Sequence, residues 1–368
     1  MDFYYGIGPA LFVIVSIAIA WLSIRRIRRL RDATIRGWRR TMERVVLAAV
    51  TAVALILAAS SAFNAVAVRA LHPPGEWYSV DGHRMRIDCT GSGSPTIVLD
   101  AGLGNDGLIW GGVQPALSKT TRVCSYDRAG FGWSDPLLPP RDADHIASEL
   151  HGLLAAAKID EPIVLMGHSI SGIYIRDYAT RYPADVAGLI FVDGSTPLQN
   201  RNSAFKPEFA KHPLDWVRTL YRRMLFVAGI PRLSGACSQG FPNFNRAAAE
   251  LQAQDLCRLR WSAIDAEMDS FDRSGEQTLH TGPYGPLPIL IFSQDPGKDL
   301  SNISRAWNQM QEDLKKLSTR SRRIIAKGST HYIQVDRPDL IEKQVPLFIE
   351  QIRGTVPEPA NYGSTTTE

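Results

Sequence analysis

The chain has 368 residues, of which 45% are apolar and 21% charged, so it is long enough and apolar enough to bury a large core. Its net charge of +4 is uneven, because nine arginines fall between residues 25 and 44 and the remaining chain is net acidic. This distribution gives no argument for nucleic-acid binding, and the sequence has neither a long repeat nor a metal-ligand spacing such as HExxH or paired CxxC.

Two uncharged stretches, residues 4–24 and 45–68, lie on either side of these arginines. Each is long enough to cross a membrane as a helix, which takes about 20 apolar residues. Lysine and arginine are retained on the cytoplasmic side, so the loop at 25–44 is expected inside and the chain beyond about residue 70 outside. These features predict that residues 1–72 anchor a multi-pass protein in the cell membrane, with an extracytoplasmic C-terminal domain.

The second stretch permits another interpretation. From Arg39 it has a basic start, an apolar middle and the small residues Ala65-Val66-Ala67, which together are the pattern of a cleaved secretion signal. Cleavage would export the same domain but would leave the first stretch unexplained, so two retained helices are the preferred interpretation. A pair of buried core helices is the other alternative, and the arginines between the two stretches argue against it.

Four cysteines are consistent with an exported domain, where disulfides form and persist. Cys89 and Cys124 each lie in a strand-like run, whereas Cys237 and Cys257 lie together in a later segment. We predict the pairs Cys89–Cys124 and Cys237–Cys257, and the alternative is four buried thiols.

Beyond residue 73, short apolar runs alternate with helical patterns. Asp81-Gly82 predicts a tight hairpin between strands at 76–80 and 84–89. The alternation predicts an α/β fold, with a mostly parallel sheet that is covered by helices on both faces and made mixed by the hairpin. Further strands are expected at 96–100, 121–126, 162–166, 188–192, 287–292 and 321–326, and helices at 105–118, 143–158, 170–182, 300–317 and 338–351.

The alternation stops between residues 194 and 286, in a segment that carries Trp216, Trp261 and several helical patches. We interpret residues 194–286 as a cap over the end of the sheet where the loops gather. Residues 73–193 and 287–355 would then form the core domain, and residues 356–368 are expected to be a flexible tail.

A glycine run, GLGNDG at residues 102–107, matches the GxGxxG pattern of dinucleotide-binding sites, and Asp127 follows it by 20 residues at a strand end. In such sites the glycines let the backbone approach a pyrophosphate, and the acid binds the ribose. The pattern usually marks the first strand of its domain, whereas a hairpin precedes it here. A dinucleotide-dependent reductase is therefore kept as the weaker alternative.

A second motif, GHSISG at residues 167–172, lies between a predicted strand and a predicted helix. It approximates the GxSxG pattern, which places a nucleophilic serine on a sharp, strained turn. The residues two positions away from that serine must be small. Gly167 satisfies this requirement, and Ser171, which replaces the usual glycine, is still small. An ordinary tight turn is the alternative, so a nucleophilic Ser169 depends on partners elsewhere in the chain.

A serine hydroxyl needs a base to take its proton and an acid to orient that base. Along the chain, the acid and then the histidine should follow the serine. His331 lies just after the last predicted strand and is the expected base. Asp295, after the preceding strand, is the preferred acid, and Asp193 and Asp299 remain as alternatives.

The tetrahedral intermediate formed at such a serine also needs backbone N–H donors for its oxyanion. One donor should be Ile170, directly after the nucleophile, and the other Leu103 in the glycine run. A second interpretation of the glycine run is therefore that it forms part of an oxyanion hole. This mechanism requires no metal and no organic cofactor.

With these residues in place, the sequence resembles the α/β-hydrolase family, most closely its serine esterase and lipase-like branch. The resemblance covers residues 76–353 and rests on LDAGLGNDGLIW, YDRAGFGWSD, GHSISG and THYIQVDRPDLI. It implies an eight-stranded sheet with the cap after the sixth strand, and it places the strands of Cys89 and Cys124 side by side. Asp127 and Arg128 are expected to hold the loop beside the oxyanion turn. Branches with an aspartate nucleophile are disfavoured, because a serine stands in that place.

The sequence therefore predicts a serine hydrolase that cleaves a carboxylic ester through a covalent acyl-enzyme. The expected substrate is a small or lipid-like ester with an apolar group, and no nucleic-acid partner is expected. A peptidase, a thioesterase and a carbon–carbon hydrolase are alternatives, because they use similar triads. A non-catalytic binding protein is a further alternative, and the complete set of triad residues argues against it.

Overall fold

The structure, a computed structural model, describes residues 7–31, 37–137, 139–197, 199–205, 213–238, 246–255, 257, 261–297, 299, 301–359 and 362–368. The chain divides into two compact units. The helical unit comprises Met1–His72, His212–Gly240 and Glu250–Leu259, and the sheet unit comprises Pro73–Lys211, Phe241–Ala249 and Arg260–Glu368. The segment expected to form a single cap therefore contributes to both units.

The elements are numbered in chain order within the described residues. The helices are α1 (Ile7–Arg31), α2 (Trp38–Arg69), α3 (Gln114–Leu117), α4 (Ala143–Ala156), α5 (Ser171–Arg181), α6 (Asp215–Val227), α7 (Ile230–Leu233), α8 (Arg246–Asp255), α9 (Trp261–Asp269), α10 (Phe271–Gln277), α11 (Asn302–Asp313), α12 (Ile333–Asp336) and α13 (Pro338–Arg353). The strands are β1 (Glu76–Val80), β2 (His83–Thr90), β3 (Thr96–Asp100), β4 (Val123–Tyr126), β5 (Ile163–His168), β6 (Val186–Val192), β7 (Ile289–Gln294), β8 (Ser321–Ala326) and β9 (Thr365–Thr367).

Helices α1 and α2 pack along one another in the helical unit. Both are long and apolar enough to cross a membrane, over Gly8–Leu30 and Trp38–Arg69, as the uncharged stretches predicted. Only 17% and 22% of their most apolar portions are buried, whereas a core helix of a soluble protein would be mostly buried. Near the basic connection, the Arg26 Nε lies 2.8 Å from a Glu43 carboxylate oxygen, and this ion pair links the two helices.

The nine strands of the described residues form one sheet, in the order β1-β2-β4-β3-β5-β6-β7-β8-β9. The predicted hairpin of β1 and β2 is antiparallel, β2 is antiparallel to β4, and every other neighbouring pair is parallel. The mixed, mostly parallel α/β fold is thereby confirmed. The ninth strand, β9, pairs with β8 at one edge of the sheet. The expectation of a flexible tail is wrong for this part, because three β-branched threonines form an edge strand.

Apolar side chains cover both faces of the sheet, which explains why the parallel strands are almost continuously apolar. On β3, Ile97 and Leu99 belong to the cluster that includes Ile341 of α13, whereas Val98 belongs to the opposite cluster with Leu150 of α4. Alternate side chains of a strand point to opposite faces, so each strand contributes to both clusters. This packing brings the loops that follow the parallel strands to one edge of the sheet, where ligands bind in open α/β folds.

The helix expected at residues 105–118 is broken. Gly107–Trp110 forms a 3₁₀ turn instead, and only Gln114–Leu117 is α-helical. Glycine at 107, 111 and 112 disfavours a continuous helix. The Asp106 carboxylate starts the turn by accepting the Leu108 N–H at 2.9 Å.

Both predicted disulfides are present. Cys89–Cys124 joins directly opposed residues of β2 and β4 in the sheet unit, and Cys237–Cys257 lies within the helical unit. Each bridge therefore constrains one unit internally.

Candidate active site

Ser169 occupies the turn between β5 and α5, in the strand–turn–helix arrangement that the motif predicted. Its φ of 56° lies in the left-handed region, which is strained for serine. A Cβ at Gly167 would lie 2.5 Å from the Ser171 Oγ, and a Cβ at Gly172 would lie 2.8 Å from the Ser195 backbone oxygen. The turn therefore requires glycine at both positions.

His331 follows β8 and lines the same cavity as Ser169. Its Nδ1 lies 2.6 Å from the Asp193 Oδ2, and the side chain of Asp193 is fully buried while that of His331 is 34% exposed. The carboxylate can only accept, so the neutral imidazole carries its proton on Nδ1 and leaves Nε2 unprotonated. This is the tautomer that a general base facing a serine requires.

Asp193, directly after β6, is held by two further donors. Its Oδ1 accepts the Gln294 backbone N–H at 3.0 Å and the Trp307 indole N–H at 2.9 Å. The Trp307 ring also packs edge-on against the His331 ring, with 5.5 Å between centroids. These donors stabilise a buried carboxylate that would otherwise be costly. The sequence did not single out Trp307, because an aromatic residue on an amphipathic helix is normally a core residue.

The structure does not bring Asp295, the preferred acid, to His331. The carboxylate of Asp295 instead accepts the backbone N–H groups of Gly297 at 2.9 Å and Gly328 at 2.8 Å. The Gly328 N–H and then the Gly297 N–H hold the pKa of Asp295 below its usual value. The expected contact with the histidine is therefore corrected in favour of Asp193.

Sheet register explains this outcome. Val192 of β6 is paired with Phe292 of β7, so Asp193 lies level with the next residue of β7, whereas Asp295 lies two positions further along the chain. Asp299, the third candidate acid, accepts the N–H and the hydroxyl of Ser301 at 2.8 and 3.1 Å. Of the three candidates, the structure therefore pairs Asp193 with the histidine.

The glycine run lies beside the turn at Ser169. A Cβ at Gly102 would be 3.2 Å from the Ser169 Cβ, so the backbone leading into Leu103 passes directly by the serine. Ile170 follows Ser169 and is the N-cap residue of α5. The two residues expected to donate to an oxyanion therefore lie on segments that adjoin the same serine, as an oxyanion hole requires.

A buried arginine, Arg128, hydrogen-bonds to the backbone at the start of the glycine run. The Arg128 guanidinium donates to the backbone oxygens of Ala101 and Gly102, the latter at 3.2 Å, and to the Asp100 carboxylate at 2.7 Å. It also forms a two-bond pair with Glu267 of α9, at 2.8 and 2.9 Å. Burial by itself would lower the pKa of Arg128, but the facing carboxylates raise it well above its usual value. The predicted structural role of Arg128 beside the oxyanion turn agrees with these contacts.

Asp127 is also committed to structural bonds. Its carboxylate is fully buried and accepts from the Gly107 N–H at 2.9 Å, the Trp133 N–H at 2.9 Å and the Arg86 guanidinium at 3.0 Å. Both carboxylate oxygens are used by these bonds, so the acid that a dinucleotide site would offer to a ribose is occupied by protein.

His168, immediately before Ser169, hydrogen-bonds to the backbone of His331. Its Nε2–H donates to the His331 carbonyl oxygen at 3.0 Å, and the two rings lie 4.7 Å apart. Its Nδ1 is buried and has no hydrogen-bond partner among the described residues. Burial, reinforced by the neighbouring His331, lowers the pKa of His168 to about 3. The imidazole is therefore neutral across the working pH range.

His168 should make the chain less stable in mild acid. Its folded-state pKa of about 3 lies below the ordinary 6.5, so its contribution is complete above pH 6.5 and declines as the pH falls toward 3. The unfolded chain takes up a proton there that the folded chain cannot hold. Replacing His168 with glutamine should remove up to about 1.4 kcal/mol per pH unit of that decline. Denaturant unfolding of the full chain in detergent, at several pH values, measures it. The exposed His280→Gln is the matched control, and equal slopes in all three proteins would contradict the prediction.

A cavity of about 550 Å³ opens at this edge of the sheet. Ser169 and His331 both line it, so the two residues share one cavity. Its remaining wall combines apolar and polar side chains: Ser195, Gln199, Phe205, Met268, Gln294, Asp295, Pro296, Asp299, Ile303, Ser304 and Trp307. A cavity of this size and mixed lining is typical of a small-molecule site.

The sheet order, the strained serine turn and the histidine loop define an α/β-hydrolase fold. Residues 97–344 match the alpha/beta hydrolase family, and the chain belongs to that family. An uncharacterized protein of Schizosaccharomyces pombe is 28% identical over 313 residues, which cover 75% of this chain and 56% of the relative. The chain thus spans about half the length of this curated relative.

Solved structures show the same fold. A putative lipase of Acinetobacter baumannii has a TM-score of 0.59 at 18% identity, covering 82% of this chain and 97% of its own. A thermophilic esterase of Thermogutta terrifontis has a TM-score of 0.54 at 16% identity, covering 76% and 99%. At identities this low, the likeness establishes the fold but does not identify the substrate.

Proposed function

We propose that the chain is a serine hydrolase that cleaves carboxylic esters, with Ser169 as nucleophile, His331 as base and Asp193 as the orienting acid. The observation that carries this proposal is the 2.6 Å contact between His331 and Asp193 beside a serine with a φ of 56°. The histidine is oriented by a buried carboxylate, and the serine and the histidine share one cavity. Activation of a serine needs this combination.

The proposed reaction proceeds in two halves. The Ser169 Oγ attacks the ester carbonyl carbon while its proton passes to the His331 Nε2, and the N–H groups of Leu103 and Ile170 stabilise the oxyanion. Collapse of the tetrahedral intermediate breaks the bond to the alcohol, which leaves with the proton from His331. Water then attacks the acyl-enzyme, gives its proton to the same nitrogen, and releases the acid as the serine regains its proton.

The cavity supports an ester with an apolar group of moderate size. Phe205, Met268, Ile303 and Trp307 provide apolar wall, while Gln199 provides a polar side chain that could orient the ester. Peptidase, thioesterase and carbon–carbon hydrolase activities use the same three residues and are the alternatives.

The reductase alternative has little support. Asp127 is bound by protein groups, and the helix that should follow the glycine run is a 3₁₀ turn at Gly107–Trp110. A dinucleotide site needs a free acid for the ribose and a helix N-terminus for the pyrophosphate. The position of the glycine run beside Ser169 favours a role in the proposed oxyanion hole. The proposed reaction needs no dinucleotide.

We also propose that α1 and α2 anchor the chain in the cell membrane, with the basic connection inside and the sheet unit extracytoplasmic. Nine arginines lie in the adjoining ends of the two apolar helices and in the connection between them, and they support this topology. The two disulfides support an exported location, because such bonds persist in oxidising compartments.

Covalent labelling tests the proposed activity. A fluorophosphonate probe should modify the full chain in detergent, and mass mapping should place the label on Ser169, because only an activated serine reacts. His331→Ala should abolish labelling, whereas Ser304→Ala, which removes another serine of the same cavity, should retain it. A series of p-nitrophenyl esters of rising chain length then defines the acyl group. Folded protein that takes no label would refute the proposal.

A further inference from the structure

Helix α6 carries an exposed apolar stripe within the segment that was expected to be cap. Its five members are spaced so that they share one side of the helix. Between 38% and 68% of each residue is exposed, and the members are Trp216, Val217, Leu220, Tyr221 and Met224. A contiguous apolar surface of this kind normally meets a partner or a membrane.

The rest of α6 points to a lipid surface. Arg218, Arg222 and Arg223 are distributed around the remaining circumference, so cationic side chains border the apolar stripe on both sides. Helices that lie in the plane of a bilayer combine an apolar face containing tryptophan with arginines near the headgroups. Tryptophan and tyrosine are enriched at that depth, because their rings are apolar with one polar group.

The position of α6 is fixed by its contacts inside the helical unit. Helix α6 contacts α1, and the residues after it contact α2. A Cβ at Gly229 would lie 2.6 Å from the Ser60 Oγ, and the Arg232 Nε donates to the Asn64 Oδ1 at 2.8 Å. Ser60 and Asn64 belong to the last third of α2, roughly 8 to 14 Å from Arg69 at a rise of about 1.5 Å per residue. The chain leaving α6 therefore meets α2 close to one end of the candidate membrane span.

We propose that α6 lies in the membrane interface on the side where α2 ends, with the stripe of Trp216, Val217, Leu220, Tyr221 and Met224 inserted among the lipid acyl chains. Lipid is the occupant because the stripe lies on a helix that contacts the membrane-length helix α1 of the same unit, and because arginines border it. The inference rests on the proposed membrane anchor. It makes part of the segment between β6 and β7 a third membrane-contacting element.

Depth-dependent quenching tests the proposal on the full chain. The four native cysteines are in disulfides, so a single substitution supplies one thiol for an environment-sensitive fluorophore. Three labelled proteins, Tyr221→Cys, Val53→Cys in α2 and Lys316→Cys on the sheet unit, are reconstituted in phosphatidylcholine and phosphatidylglycerol vesicles. A spin label near the carboxyl end of the acyl chains should quench the first strongly. The label at 53 should be quenched by a deeper spin label, and the label at 316 should be quenched by aqueous iodide alone.

The three labels separate failure of the inference from failure of the anchor. If the label at 53 is not quenched by lipid, the anchor itself fails and the inference with it. If 53 is quenched by lipid but 221 is quenched by iodide, the anchor stands and the inference is overturned. A label at 221 that neither quencher reaches would mean that protein covers the stripe, which also overturns it.

A charge placed in the stripe provides a second test. Leu220→Glu, combined with the label at 221, should abolish quenching by lipid, because a carboxylate resists burial among acyl chains. Thr219→Glu adds the same charge on the opposite side of α6 and should leave the quenching unchanged. Circular dichroism checks that both variants remain helical. Equal quenching in Leu220→Glu and the unsubstituted stripe would overturn the proposal.

Discussion

Replacing Ser169 with alanine should lower kcat for ester hydrolysis by about 10⁶-fold, the typical cost of removing a serine nucleophile. The variant should fold normally, since alanine adds no atoms at the turn and the Ser169 backbone makes the hydrogen bonds there, donating to Val192 and accepting from Gly172 and Ser195. Steady-state hydrolysis of a p-nitrophenyl ester measures the loss. The same assay on His331→Ala should give a loss of similar size, because the two residues act as one unit.

The control for this prediction is Ser304→Ala, which alters a serine of the same cavity outside the proposed triad. It should keep kcat close to that of the parent protein and change KM at most modestly. Wild-type turnover by Ser169→Ala would rule out the proposed nucleophile, whatever the behaviour of the control.

Asp193→Asn should lower kcat by about 10⁴-fold, since an amide cannot hold the imidazole in the required tautomer. Asp295→Asn should stay within a few-fold of the parent protein, because Asp295 bonds only to backbone groups of Gly297 and Gly328 among the described residues. The two variants can be compared directly, because Asp193 and Asp295 follow neighbouring strands and each carboxylate is replaced by an amide.

The measurement is kcat and kcat/KM for both variants, with unfolding monitored in parallel. Asp193 also accepts bonds from Gln294 and Trp307, so some stability loss is expected alongside the loss of activity. Trp307→Phe removes one of these donors while keeping the histidine intact, and should lower kcat far less than Asp193→Asn. A large loss of kcat in Asp295→Asn together with an active Asp193→Asn would show that Asp295, the acid preferred from the sequence, orients the histidine.

The choice between Asp193 and Asp295 cannot be made from the sequence alone. Both follow apolar strands that end at the same edge of the sheet, so both satisfy the required order along the chain. The difference is a register of two residues between β6 and β7, together with the burial of one carboxylate under Trp307. Neither the strand register nor the burial of the carboxylate can be read from the sequence, because each depends on how separate segments pack.

The segment between β6 and β7 gives a second example. Its interruption of the strand–helix alternation predicted a single cap at 194–286, but α6 and α7 belong to the helical unit with α1 and α2. The sequence of α6 contains the apolar stripe and the arginines, yet nothing local says which surface the stripe meets. Contacts at Gly229 and Arg232 with residues of α2 decide where it lies.

The sequence by itself determined the features that local chemistry specifies. The hairpin at Asp81-Gly82, the apolar parallel strands, the two membrane-length helices and the serine turn follow from short-range pattern, because turn geometry and side-chain alternation act over a few residues. Only the tertiary structure decided the pairing of His331 with Asp193, the pairing of Arg128 with Glu267 and the placement of α6 in the helical unit. These depend on side chains that meet from segments as much as 168 residues apart, and their distances are set by sheet register and by packing within each unit.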